Sequence, residues 1–163
     1  MIRKIKCNFI SVLACISLQM FSTLYAHEID LKEISIKHPM IPIFHSNMKT
    51  AAGYFTIVNK INKTDELIMV KTEFAEAMMH LSKIDENGIA IMEHVNKVII
   101  PGNSSVVFEQ GGLHIMFTQL KEPLEEYMDQ KVTLVFKNLG EIVVDFQVEK
   151  VTQKMNMNNN HDH

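Results

Sequence analysis

Apolar and polar positions alternate in short runs from about residue 31 onwards, and this pattern predicts an all-β structure. The run Ala51–Asn59, AAGYFTIVN, is rich in aromatic and β-branched residues, as strands usually are. Runs of the same kind lie at residues 31–36, 66–71, 77–84, 89–94, 97–100, 105–108, 114–119, 132–137 and 142–148. Short strands at this spacing are typical of a β-sandwich or a β-barrel.

Turn-forming residues separate the predicted strands. Turn or hairpin signals lie at residues 85–88 (DENG), 101–103 (PGN), 111–112 (GG) and 138–140 (NLG). Helix is expected in two short segments at most. Residues 73–79 have helical periodicity over one turn, and residues 123–128 are compatible with a short helix.

Residues 1–26 have the organisation of a secretory signal peptide. Basic residues precede an apolar run over about residues 9–18, and smaller, more polar residues lead to Ala26. Polar residues interrupt the run, which is shorter than the roughly 20 apolar residues of a spanning helix. We therefore expect cleavage near Ala26, export to the periplasm, and no integral membrane segment in the mature protein.

Both cysteines of the chain, Cys7 and Cys15, fall within this predicted signal. Cleavage after Ala26 therefore leaves no thiol, which excludes disulfides, cysteine nucleophiles and blue-copper ligation. Lipidation at Cys15 is an alternative, because residues 12–15 (VLAC) loosely resemble a lipidation box. It would leave the apolar stretch 16–21 on the mature protein, so we expect the signal-peptide interpretation to hold.

The chain from residue 27 is long enough for one domain with a substantial core. We expect a β-sandwich over residues 27–150 and a disordered Met/Asn/His tail over residues 151–163, which has little apolar sequence to bury. Without the three basic residues of the signal, thirteen Lys and Arg stand against nineteen Asp and Glu, a formal charge of −6. This charge argues against a nucleic-acid partner.

Methionine and histidine cluster in the middle of the chain. Met92 is separated by twenty-one residues from the motif HIM at residues 114–116, and the motif MMH lies upstream at residues 78–80. Thioether and imidazole suit copper(I), whereas magnesium and calcium prefer oxygen, and structural zinc prefers thiolate or several histidines. This combination of donors therefore predicts a copper(I) site.

Strand geometry makes shared faces for these donors. Residues i and i+2 of a strand face the same side, which groups His114 with Met116, Met78 with His80, and Met92 with His94. The hairpin at residues 85–88 can bring the His80 strand beside the Met92 strand. Met78, Met79 and His94 are therefore additional candidate ligands.

Other methionines and histidines have less specific roles. Methionine is a common core residue, and we expect this role for those without a histidine at strand spacing: Met40, Met48, Met69 and Met128. The tail carries donors that could bind a second copper, with a solvated terminus of no consequence as the alternative: Met155, Met157, His161 and His163.

The pattern at Met92, His114 and Met116 closely resembles the PCuAC family of bacterial periplasmic copper(I) chaperones. The family signature is a histidine, about ten residues, a methionine, about twenty-one residues and His-x-Met, and the second half matches this chain. Residues 51–59, 100–102 and 111–116 are also similar to the family's early strand, its Ile-Pro turn and its Gly-Gly-x-His-x-Met strand. The likeness runs from about residue 51 to residue 148.

The chain departs from the signature in one respect, because His80 and Met92 enclose eleven residues. An extra residue in the hairpin would absorb the difference and keep Met92 as the ligand, which is the explanation we favour. If the strands keep the family register instead, Ile91 takes the ligand position and Met92 faces away. Met78 or Met79 would then substitute for it.

The resemblance implies a cupredoxin-like Greek-key β-sandwich that binds one copper(I) through His80, Met92, His114 and Met116. It also implies copper delivery to a cuproenzyme, typically to the dinuclear copper centre in cytochrome c oxidase subunit II, with thiol-dependent copper assembly factors as partners. Some family members carry Met/His-rich C-terminal extensions that are thought to bind additional copper, and the tail of this chain is similar in kind.

Two other functions are compatible with the sequence. A periplasmic copper buffer or resistance protein would use the same ligands, and a scaffold or adhesion domain would keep its methionines in the core. An enzyme is not expected, because no Ser/His/Asp or paired-carboxylate arrangement is recognisable in the sequence.

Overall fold

A computed structural model of the chain describes residues 28–151, and all regular secondary structure in that range is β-strand. The strands are β1 (Ile29–Asp30), β2 (Ile34–Ile43), β3 (Ala51–Asn59), β4 (Asp65–Thr72), β5 (Glu76–Ile84), β6 (Ala90–His94), β7 (Val98–Ile100), β8 (Ser104–Phe108), β9 (Leu113–Thr118), β10 (Asp129–Phe136) and β11 (Gly140–Lys150). The prediction of an all-β structure is confirmed. Residues 28–151 contain no helix long and apolar enough to cross a membrane.

The strands form one continuous hydrogen-bonded sheet that folds over on itself. The order along the sheet is β6-β5-β9-β3-β2-β11-β10-β4-β7, with β1 and β8 attached to β2 and β3. Strand β3 links the two layers, because its first residues pair with β9 and its last residues pair with β8. The fold brings β4 against β5, although the two strands lie far apart in the sheet order.

Aromatic side chains fill the space between the layers. Phe55 stacks on Phe108 with ring centroids 4.3 Å apart and meets Phe146 edge to face at 5.4 Å. All three rings are buried, and burying one such side chain stabilises the fold by roughly 1.5–3 kcal/mol. Phe117 of β9 meets Phe146 edge to face at 6.3 Å, so this packing extends to one of the strands that carry the metal-ligand candidates.

Neither expected helical segment is helical. The first is largely taken by β5, because Ala77 pairs with Phe117 of β9. The second, residues 123–128, is an irregular turn in which Tyr127 has a φ of 68° and its backbone N–H donates to the Val148 carbonyl. A positive φ interrupts a right-handed helix, and Leu124, which is buried, fixes the turn to the core.

Strand β2 is longer than its hydrophobic alternation predicts. Its ladder with β3 breaks after Lys37, where His38 has a φ of 50°, and resumes at Met40. The following residues pair in parallel with β11, including Pro42 opposite Glu149. The two prolines of this stretch concealed the strand, because proline normally argues against one.

Two methionines expected in the core are exposed, namely Met69 and Met128. A bulge in β4 explains Met69. Phe136 of β10 pairs with Leu67 while Val135 pairs with Met69, so one extra residue of β4 is left between them. The alternation therefore shifts by one position, which turns Val70 inward and Met69 outward.

Candidate metal site

Strand β5 lies between β9 and β6, and its register aligns three histidines. His80 is the Cα partner of His114 on β9 and of His94 on β6. Directly opposed residues of antiparallel strands project from the same face. The His80 ring lies edge to face with both neighbours, at centroid distances of 5.9 Å from His114 and 5.7 Å from His94.

The same register places methionines on the histidine face. Met116, two residues after His114, pairs with Met78. Ser82, two residues after His80, pairs with Met92. Met78, Met92 and Met116 therefore share the face of the three histidines.

The register also shows which residue of β6 faces the histidines. Ile91 pairs with Lys83, so it projects from the opposite side of the sheet, and Met92 takes the histidine side. The β5–β6 hairpin accommodates this arrangement in residues 85–89. There the Asp85 carboxylate accepts hydrogen bonds from the backbone N–H groups of Asn87, at 2.9 Å, and Ile89, at 2.8 Å.

The buried imidazole of His114 has a defined tautomer. Its Nδ1 lies 3.0 Å from the Gly112 carbonyl oxygen, which can only accept a hydrogen bond, so Nδ1 carries the proton. The Nε2 lone pair is then free for a metal. The glycine break predicted before His114 is a tight turn in which Gly111 has a φ of 80°, and the Gly112 carbonyl of this turn is the group that Nδ1 contacts.

The His80 imidazole has a nitrogen that is available to a metal for a different reason. Its Nδ1 is buried, and nothing in residues 28–151 makes a hydrogen bond to it. Burial lowers the pKa of His80 below its usual value, and the neighbouring His114 and His94 lower this pKa further. The neutral ring is the form that binds a metal, and an orphaned buried nitrogen is satisfied when a metal supplies its partner.

The face becomes more exposed from β9 towards β6. His114 on β9 is 4% exposed, whereas Met92 on the outer strand is 52% exposed. His80 on β5, the strand between them, is half-buried, as is Met116 on β9. The donor array is therefore anchored on its β9 side and accessible on its β6 side. An incoming protein or small ligand can reach Met92 first.

The donor set has the chemistry of a soft metal site. Within the part of the chain that the structure describes, no three His, Cys, Asp or Glu side chains are grouped so as to hold a metal ion. A metal on this face would therefore need the thioethers as well as the imidazoles. Such a mixed set fits copper(I) better than zinc, calcium or magnesium.

Some of the predicted candidates lie elsewhere. Met79 pairs with Ile115 and is 4% exposed within the hydrophobic core, so it projects from the face opposite the histidines. Physically, adjacent positions of a strand must face opposite sides, and Met78 takes the histidine side. The tail candidates lie outside the described residues: Met155, Met157, His161 and His163.

Sequence reasoning missed Met69, which lines a surface cavity together with Met78 and His94. The bulge that turns Met69 outward depends on the pairing of β4 with β10. No local pattern around Met69 indicates that bulge, because Ile68 and Met69 are both apolar.

Comparison with known proteins identifies the family. The family described as LpqE-like, a lipoprotein family, matches residues 34–148. The chain belongs to the LpqE-like family. This family is related to the PCuAC domains, so the resemblance seen in the sequence is confirmed.

Solved structures similar to this LpqE-like protein include two PCuAC domains. The copper-bound PCuAC domain from PmoF2 is 25% identical, with a TM-score of 0.64, and the match covers 77% of this chain and 99% of that one. The apo PCuAC domain from PmoF1 is 25% identical, with a TM-score of 0.66, covering 77% and 100%. The fold is therefore cupredoxin-like, as expected.

Two further matches have a lower TM-score or a smaller coverage. The copper(I) form of DR1885 from Deinococcus radiodurans shares the fold, at 21% identity and a TM-score of 0.58, with 78% of this chain and 83% of that one covered. Uncharacterized protein RP573 of Rickettsia prowazekii (strain Madrid E) is 26% identical over 102 residues, which is 62% of this chain and 56% of that protein. The chain thus spans little more than half the length of this relative.

Proposed function

We propose that this LpqE-like protein is an exported copper(I) carrier that holds one copper ion with His80, Met92, His114 and Met116. The observation that carries the proposal is the strand register, which places two imidazoles and two thioethers on one face across β6, β5 and β9. The copper-bound PCuAC domain from PmoF2 supports the choice of metal.

All four donors are neutral in the binding state. Methionine needs no deprotonation, and the lowered pKa of His80 keeps its ring neutral over a wider pH range. A neutral set of soft donors favours a monovalent soft cation, because it supplies no charge to compensate a divalent one. The site should therefore prefer copper(I) to copper(II) and zinc.

The exposure of the site suits a carrier that hands its metal on. Met92 is accessible while His114 is buried and oriented by the Gly112 carbonyl. A donor from an acceptor protein could replace Met92 first, while the inner imidazoles still hold the metal. We propose exchange by such ligand substitution, and therefore a binding protein without catalytic chemistry.

The proposed acceptor is a cuproenzyme, in particular the dinuclear copper centre of cytochrome c oxidase subunit II, with thiol-dependent assembly factors as co-workers. The periplasm is the proposed location, after signal-peptide cleavage near Ala26. The lipoprotein description of the family supports export.

X-ray absorption at the copper edge tests the ligand set. We expect the copper(I)-loaded chain, residues 27–163, to show nitrogen scatterers at about 2.0 Å and sulfur scatterers at about 2.3 Å, in the range typical of imidazole and sulfur ligation. The Met92→Leu/Met116→Leu variant should lose the sulfur shell. A spectrum with nitrogen and oxygen scatterers only, already in the parent, would contradict the proposed site.

A transfer assay separates a carrier from a copper buffer. The copper(I)-loaded chain is mixed with the reduced, copper-free soluble domain of oxidase subunit II, and the two proteins are separated and analysed for copper. A carrier transfers its copper faster than free exchange through a competing chelator allows. Retention of copper, or transfer at the chelator-limited rate, would favour a buffer.

A further inference from the structure

A small cavity of about 200 Å³ adjoins the histidine face where β4 packs against β5. Its lining includes three thioethers, of which that of Met79 on β5 is buried in the core. The exposed donors of the lining are Met69 of β4, Met78 of β5 and His94 of β6. These three residues do not belong to the copper site proposed above, but they offer the same kinds of donor, thioether and imidazole.

The three side chains are presented to solvent rather than packed away. Met69 is 50% exposed and Met78 is 36% exposed, and His94 is exposed as well. Methionines that simply fill a core are buried, as Met79 is. The bulge in β4 is the reason that Met69 reaches this surface, because an uninterrupted strand would turn it inward.

The cavity is contiguous with the first site. Met78 is the Cα partner of Met116, and His94 is the Cα partner of His80. The ring centroids of His94 and His80 are 5.7 Å apart. Met78 and His94 thus each have a ligand of the first site as their direct neighbour on the adjacent strand. Only Met69 comes from outside the three-strand array.

We propose that Met69, Met78 and His94 form a second copper(I) site beside the first. Thioether and imidazole in one cavity are the donors that copper(I) prefers. Three donors on an exposed surface should bind more weakly than four donors anchored on buried His114, so the second site fills after the first. This proposal shares its metal with the proposed function but uses different residues, and the two can fail separately.

Methyl-resolved NMR of the chain from residue 27 to residue 163, labelled with ¹³C-methyl methionine, tests the proposal. Copper(I) is added anaerobically as its acetonitrile complex. Up to one equivalent, the Met92 and Met116 methyl signals should shift. Between one and two equivalents, the Met69 and Met78 signals should shift, while Met128, which is also exposed but lines another cavity, should not.

Variants locate the second step. Met69→Leu/His94→Asn should abolish the shift of Met78 between one and two equivalents, whereas the matched control Met128→Leu should leave it unchanged. Both altered side chains are exposed, so the fold should tolerate them, and the dispersion of the remaining methyl signals verifies this. A Met78 shift that persists in the double variant would overturn the second site.

The titration also separates the two proposals. If Met69 and Met78 stay unmoved at two equivalents while the tail signals of Met155 and Met157 shift, the second copper binds the tail and the cavity is no site. If Met69 and Met78 respond but Met92 and Met116 never do, the cavity binds copper and the proposed carrier site fails.

Discussion

His80 and His114 face each other as Cα partners across β5 and β9, with ring centroids 5.9 Å apart and ring planes at 83°. One ring is oriented by a backbone carbonyl and the other has a buried nitrogen without a hydrogen-bond partner in residues 28–151. This pair forms the inner half of the proposed copper site. The outer half depends on which residue of β6 faces the pair.

Substitution of β6 residues tests that dependence. Met92→Leu removes the thioether but keeps an apolar side chain on the histidine face. Removing a group that only hydrogen-bonds a metal ligand already weakens metal binding by about tenfold or more. Loss of the ligand itself should therefore weaken copper(I) binding by at least about tenfold. Chelator competition measures this. Ile91→Met, which adds a thioether on the opposite face, should leave the affinity unchanged.

The reverse result would have a clear meaning. If Met92→Leu binds as tightly as the parent and Ile91→Met alters the affinity, the register of β6 in solution differs by one residue from the structure. In that case Met78 is the candidate that replaces Met92 as the ligand, and the copper(I) affinity of Met78→Leu would test it.

Met79 should matter for stability and not for copper. It is buried in the core opposite the histidine face, so Met79→Ala should lower the free energy of unfolding by about 2–5 kcal/mol. Denaturant unfolding measures the loss. Met79→Leu, which conserves volume, should cost less than about 1.5 kcal/mol. A drop in copper(I) affinity of the folded Met79→Leu protein would contradict the face assignment.

Asp65 should make stability depend on pH. Its burial raises the pKa of the carboxyl, but hydrogen bonds from the backbone N–H groups of Glu66, Asn138 and Leu139 outweigh this and hold the pKa below its ordinary value of 3.8. The stabilisation is therefore complete above pH 3.8 and is lost as the pH falls through the lower pKa of the folded state.

Replacing Asp65 with asparagine tests this account. One carboxylate oxygen becomes an NH₂ group that cannot accept a hydrogen bond, so Asp65→Asn should cost about 1–3 kcal/mol at neutral pH. The difference between parent and variant should shrink in acid. Urea unfolding curves at neutral pH and near pH 3 provide the comparison, and an equal difference at both would argue against the ionised carboxylate.

The N-terminus of the exported protein is also testable. Cleavage after Ala26 predicts a soluble chain that begins at His27 and carries no thiol. Intact-mass analysis of the protein from its native cell fraction should give that mass. A membrane-bound form whose mass corresponds to a chain beginning at lipidated Cys15 would show that the lipoprotein interpretation is the right one.

The strands were predictable where alternation, turn signals and β-branched residues agree, as in β3 and in the β5–β6 hairpin. The first half of β2 was also predictable, but its second half was not, because Pro39 and Pro42 disguise it and its parallel pairing with β11 is a long-range contact. Local sequence carries no signal for such a partner.

The site was predictable to a similar extent. Spacing of i and i+2 places His114 with Met116 on any strand, which required no knowledge of the fold. The alignment of His80 between His114 and His94 required the register of two ladders. The position of Met69 required a bulge that arises from pairing with β10, so strand periodicity assigned it to the core.

Anaerobic titration of the chain from residue 27 to residue 163 with copper(I), against a chromophoric chelator, tests the central claim most directly. The comparison is with His114→Ala/Met116→Leu and with a tail variant in which Met155, Met157, His161 and His163 are replaced. We predict tight binding of the first equivalent by the parent and the tail variant, and its loss in the double variant. Equally weak binding by all three proteins would contradict a copper site on the β6-β5-β9 face.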